Sequence, residues 1–159
     1  MKTLMKTALS TLVVIAAAST MAVAADKPDF SGNWKIDLDK SSFGMMPPPT
    51  SMSSKITHKD PELVVENTQD GAQGVQTNTA KYSTDGKETT NSMMGTDVKS
   101  KAVWDGKTLV VNSSLDAGGA QVKLVTKYSL SEDGKTLSSV LNISAPQGDF
   151  EMTMVFVKQ

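Results

Sequence analysis

The side chains able to do chemistry are few in this chain and poorly spaced for catalysis. His58, in Lys55-Ile56-Thr57-His58-Lys59, is the only histidine, and cysteine is absent. Structural and catalytic zinc sites draw on Cys and His, so their usual ligand set is missing. No G-x-S-x-G turn offers a serine nucleophile to pair with His58. Parity places His58 with Ile56 on an inward side, but a lone histidine without a nucleophile is expected as a polar group at a strand end. The carboxylates fall mostly in Asp-Gly turns, where they serve geometry and solubility. Glu62 and Glu66 flank Leu63-Val64-Val65 on one side of a strand. A glycosidase pair would also need a sugar cleft, and two Trp with two Tyr give no trace of its aromatic floor. The expectation is a protein that is not an enzyme and holds no cofactor and no metal.

The methionines are the least ordinary set. Met45, Met46 and Met52 lie in a Pro-rich segment, and Met93 and Met94 lie in Asn-Ser-Met-Met-Gly. Thioethers are soft ligands that suit Cu(I). They also make adaptable apolar surface, useful at the mouth of a ligand cavity. Portal loops are the functional reading carried forward; the plainer one is that these side chains cover the ends of the fold.

The elements that would position such groups are strands. In Ala120–Leu130, Ala120, Val122, Leu124, Thr126, Tyr128 and Leu130 share one side, with Val125 the exception on the other. Period-two alternation over such a run predicts a strand with one wet face. The same pattern holds in 150–158, where Phe150, Met152, Met154 and Phe156 align. It recurs in 97–104 (Val98, Ala102, Trp104), 108–115 (Leu109, Val111, Leu115) and 136–144 (Leu137, Leu141, Ile143). The inward faces also carry Ser100, Ser113, Thr126 and Ser139, which need hydrogen-bond partners or water if buried. Asp-Gly at 70-71, 85-86, 105-106 and 133-134 punctuates the runs as turns, as does Pro146-Gln147-Gly148-Asp149. Residues 39–52, with Pro47-Pro48-Pro49, are expected as a long Pro/Met-rich loop before a second strand near 53–59.

Nine or ten strands on short connections form an antiparallel meander that must bury its apolar side. Closure into a barrel removes the exposed edges; two packed sheets in a sandwich are the alternative. Stability must come from one core, since no disulfide can form, and residues 25–159 suffice for a single domain.

The start of the chain reads as an address. Lys2 and Lys6 precede an apolar stretch, and Ala22-Val23-Ala24 offers a cleavage site. Residues 1–24 are therefore expected to be a signal peptide, cleaved on export to the periplasm or outside the cell; an uncleaved anchor is the alternative. No other segment suits a transmembrane helix. Every basic residue but His58 is Lys, and loss of Lys2 and Lys6 takes the net charge from −1 to about −3. With no basic stripe, nucleic acid is not an expected partner.

Gly32-Asn33-Trp34 opens the first strand, where Trp34, Ile36 and Leu38 share a face. Gly32 admits the chain at the barrel end and Trp34 plugs it. With that step, the meander and the wording Asp-Phe-Ser-Gly-Asn-Trp-Lys-Ile-Asp, the chain resembles the lipocalin and fatty-acid-binding (calycin) superfamily, and small exported bacterial lipocalin-like proteins in particular. The resemblance implies an up-and-down barrel with an apolar ligand inside. Many members lay an arginine from the last strand over the tryptophan; here Lys158 is the substitute. Fatty-acid binders hold a carboxylate with an inward Arg-x-Tyr pair. The counterpart here is Thr126-Lys127-Tyr128, where alternation sends Lys127 outward. The expected ligand is a small apolar or amphipathic molecule against Trp104, Leu124, Tyr128, Leu141, Phe150 and Met154. A filled barrel acting through its loops as an envelope interaction module is the alternative.

Overall fold

Each alternating run becomes a strand because a ribbon with one apolar face can bury that face and keep the other in water. In the computed structural model, which describes residues 26–93 and 95–159, the strands follow in order. They are β1 (Gly32–Ile36), β2 (Ser51–Lys59), β3 (Glu62–Gly71), β4 (Gly74–Ser83) and β5 (Glu88–Met93). The second half comprises β6 (Thr96–Asp105), β7 (Thr108–Ala117), β8 (Ala120–Leu130), β9 (Thr136–Ala145) and β10 (Gly148–Lys158). One turn of 3-10 helix, Leu38–Lys40, follows β1. The expected leader, its cleavage site and Met94 lie outside the described residues.

A single sheet runs β4-β3-β2-β1-β10-β9-β8-β7-β6-β5. Neighbours in sequence are neighbours in space, and β1 joins β10 with Trp34 opposite Lys158. The meander thus rolls into a nearly closed all-β barrel, and the two-sheet alternative falls. The sheet ends at β4 and β5, which share no backbone ladder. The Asn91 side chain bridges them instead: its Oδ1 accepts from the Lys81 N–H (2.7 Å) and its Nδ2 donates to the Lys81 carbonyl (3.0 Å). One amide thereby imitates the paired bonds of a strand neighbour.

Two expectations about connections are corrected. The loop at 39–52 ends two residues earlier. Pro49 is the last residue without an N–H, and from there the Thr50 N–H donates to the Asp70 carbonyl (2.8 Å) while Ser51 and Met52 pair with Asp70 and Gln69. Met52 is therefore a strand residue packed against the core. Asp70-Gly71 is not the tip of its hairpin either. Gly71 pairs with Gly74, so the turn is Ala72-Gln73, displaced because the ladder extends past the Asp-Gly pair. At Asp85 and Asp133 the turn chemistry holds. Each carboxylate accepts from a serine hydroxyl two residues back (Ser83, 2.7 Å; Ser131, 2.6 Å) and from a lysine N–H two residues on (Lys87, 3.1 Å; Lys135, 3.0 Å).

The interior divides into two levels. At one end large apolar side chains meet: Trp34, Leu63, Leu109, Val111, Leu137 and Phe156. Further along, the inward residues of five strands become short and polar, while β8 and β10 keep Leu124, Tyr128 and Met154. Ser54 follows on β2, Asn67 on β3, Ser100 on β6, Ser113 on β7 and Ser139 on β9. Register keeps them level, with Ser54 opposite Asn67 and Ser100 opposite Ser113. Short side chains cannot meet across a ten-stranded barrel, so the core opens at that height.

Candidate functional site

The opening is a cavity of about 160 Å³ between β3 and β10. Ser100, Ser113, Thr126 and Ser139, the inward hydroxyls read from alternation, all line it. Ser100 and Ser113 are bonded to each other across β6 and β7, oxygen to oxygen at 2.8 Å. Leu124, Leu141 and Met154 form an apolar wall. Tyr82 and Tyr128 bring phenols to the same space. Burial pushes the Tyr82 phenol above its ordinary value. Burial also pushes the Tyr128 phenol upward, assisted by Tyr82 and opposed by the Ser139 hydroxyl. Both phenols are neutral at physiological pH, able to donate one bond and accept others.

Of the six interior residues expected to meet a ligand, Leu124, Tyr128, Leu141 and Met154 line this cavity. Trp104 and Phe150 do not line it. Phe150 is opposite Ile143, near the turn joining β9 and β10 and beyond the cavity. Trp104 belongs to the closed end of the barrel. Its ring stacks on Phe30 (centroids 5.7 Å, 12° between planes) and on His58 (5.9 Å, 30°). Lys27 Nζ sits 5.7 Å from its centroid and 3.2 Å from Asp60 Oδ2. The segment 26–31 thus crosses this end as a lid of stacked rings.

His58 is part of that lid and not a polar surface group as expected: its side chain is 5% exposed. Phe30 covers it, at 5.7 Å between centroids, and the Phe30 N–H donates to His58 Nδ1 (3.3 Å). Nδ1 is therefore the acceptor nitrogen, and Nε2 carries the proton. Nε2 lies 3.5 Å from Asp60 Oδ1. That carboxylate accepts from the Thr84 hydroxyl, which holds its pKa below the ordinary range. Trp34 is completely buried, with its Nε1–H donating to the Phe30 carbonyl at 3.0 Å.

The other end is open. A groove of about 350 Å³ lies between the Pro-rich loop and the β3–β4 hairpin. Phe43, Met46, Met52, Met152 and Met154 line it beside Pro47-Pro48-Pro49. A void of about 30 Å³ borders Met52, Asn67 and Met154 on one side and the core residues Ile56, Val65, Leu137 and Phe156 on the other. Met154 borders all three spaces. Of the expected portal methionines, Met46 and Met52 line the groove, and Met93 lines the cavity rim beside Asn91. Met45 is 81% exposed and lines neither. Asn67, Asn78, Ala80 and Tyr82 were not singled out from sequence, yet all line the cavity. Parity could have found Asn67, which continues the inward series Leu63, Val65.

No family model and no curated protein matches the chain in sequence. Solved structures do match in fold. An ileal bile acid-binding protein from zebrafish, complexed with cholic acid, aligns at 16% identity and a TM-score of 0.57, over 82% of this chain and 98% of its own. A secretory abundant heat soluble protein from Ramazzottius varieornatus aligns at 15% identity and 0.59, over 81% and 94%. Fatty-acid-binding protein 1 from Echinococcus granulosus aligns at 12% identity and 0.52, over 81% and 96%. The fold is thus shared with these proteins.

Proposed function

We propose that this protein is a small-molecule binding module that holds an apolar or amphipathic ligand inside the barrel, acting by binding and not by catalysis. The observation that carries the reading is the change of inward residues from large and apolar to short and polar at one height, which leaves a cavity where a filled barrel would have a core. Two of the similar structures are of proteins named for binding bile acid and fatty acid, which supports the same reading. An apolar ligand is stabilised by roughly 25 cal/mol for each Å² it removes from water, before ordering costs. Leu124, Leu141 and Met154 supply the wall for that burial. The Met-lined groove supplies the way in, because the stacked rings shut the opposite end.

The test is native mass spectrometry of the purified protein together with an Ala80→Leu variant, whose added atoms enter the cavity without removing a hydrogen bond. A co-purified mass lost in the variant is expected. Identical spectra from both proteins, with no saturable small-molecule site in either, would overturn the reading. Export belongs to the same proposal: Lys2, Lys6, the apolar stretch and Ala22-Val23-Ala24 support a cleaved leader. Sequencing the amino terminus of protein recovered from the cell envelope tests it, with a start at or near Ala25 expected.

A further inference from the structure

We infer that the ligand of this interior site is an uncharged amphiphile, its hydroxyl or carbonyl end seated in the cavity and its apolar end lying along the methionine groove. The inference rests on the binding reading above and adds the chemical class.

Charge is the first ground. The chain carries 16 basic and 17 acidic residues in 159, yet among the described residues lining the cavity, the void and the groove none is charged. Strand alternation produces this. Lys81, Lys99, Lys101, Lys123 and Lys127 lie on the strands that build the cavity, each next in sequence to a lining residue, and all are exposed on the outer face. An anion entering the cavity would lose its hydration and meet no cation.

Hydrogen bonding is the second ground. Along β6 to β10 the backbone N–H groups that could cradle a carboxylate are committed to the ladders, and only the seam between β4 and β5 lacks one. The side chains available are hydroxyls, the Asn67 and Asn78 amides and two phenols, all neutral. These both donate and accept, so they match a group that does the same. Ser100 and Ser113 already satisfy one another, and a ligand hydroxyl can join that pair without leaving a buried group unpaired.

Shape gives the orientation. The cavity, about 160 Å³, is polar on several sides and suits a head of few atoms. The groove, about 350 Å³, is lined by Phe43 and four methionines with Pro47-Pro48-Pro49, and suits a flexible chain. Met154 lines both the cavity and the groove, and so stands where the two meet.

The experiment titrates isotope-labelled folded protein with 1-octanol and, separately, with octanoate at neutral pH, following amide shifts. Octanol is expected to give saturable shifts on β6 to β9 and to bind at least tenfold more tightly than octanoate. Octanoate is expected to recover binding when acidified enough to protonate it, with the octanol response at that pH as the control for an intact fold. Octanoate binding as tightly as octanol at neutral pH would overturn the inference and leave the binding barrel standing. Shifts from neither compound at any concentration would overturn the binding reading, and the inference with it.

Discussion

The Lys158 ammonium lies 5.3 Å from the centre of the Trp34 ring, on the strand directly opposite. Gly32 makes room for it. That residue has φ +144°, and a Cβ there would meet Lys158 Cε at 2.9 Å. The glycine, the indole and the lysine therefore form one unit at the first strand, with the alkyl stem of the lysine packed where a side chain on residue 32 would stand.

Gly32→Ala is expected to lower stability by about 1–3 kcal/mol, because it adds both backbone strain and the contact with Lys158. Lys158→Ala is expected to cost about 0.5–1 kcal/mol, and Lys158→Arg to retain or improve on the native value. Urea unfolding monitored by tryptophan fluorescence measures all three. A neutral Gly32→Ala would show that the close approach is unimportant.

Trp34→Phe keeps much of the buried volume but removes the donor to the Phe30 carbonyl. A loss of about 1–3 kcal/mol is expected for leaving that oxygen unpaired. Trp34→Ala is expected to cost about 3–5 kcal/mol through the cavity it leaves. Equal stabilities for the native chain and Trp34→Phe would mean the bond contributes nothing net.

Acid acts through Asp60. The Thr84 hydroxyl, then Lys27 and His58, hold its pKa below the ordinary 3.8. A carboxylate with a depressed folded pKa contributes stability that is fully present above the unfolded value and is lost as pH falls through the lower folded one. The contribution of Asp60 should therefore disappear below about pH 4 and be intact at neutrality. Thr84→Val should raise the Asp60 midpoint toward the ordinary value in a carboxyl-carbon NMR titration. An unmoved midpoint would assign the depression to Lys27 and the His58 ring instead.

Asn91→Ala removes both bonds to the Lys81 backbone. Hydrogen exchange at the Lys81 amide is expected to accelerate, while amides inside the β8–β9 ladder keep their protection. Unfolding free energy should fall by about 1–2 kcal/mol. Unchanged exchange at Lys81 would show that β4 and β5 are held by something other than this amide.

Much of this architecture was legible in residue order because the wet and dry faces differ in kind. The run Ala120–Leu130 begins and ends as a strand where its alternation does. The inward hydroxyls at Ser100, Ser113, Thr126 and Ser139 were legible for the same reason. Parity fixes the side of a strand but not the height along the barrel, and that is why Trp104 and Phe150 were grouped with residues whose cavity they do not line. His58 shows a different limit. Its inward direction followed from Ile56, but its burial depends on Phe30 folding back from 28 positions away, which no local pattern encodes. Met52 looked like loop because the prolines before it dominate their neighbourhood, whereas strand pairing resumes within two residues of the last one.

A cylinder whose seam is fastened, among the described residues, by one side-chain amide has a weak meridian. Thermal dilation will concentrate there, so girth can change while the remaining stitching stays intact.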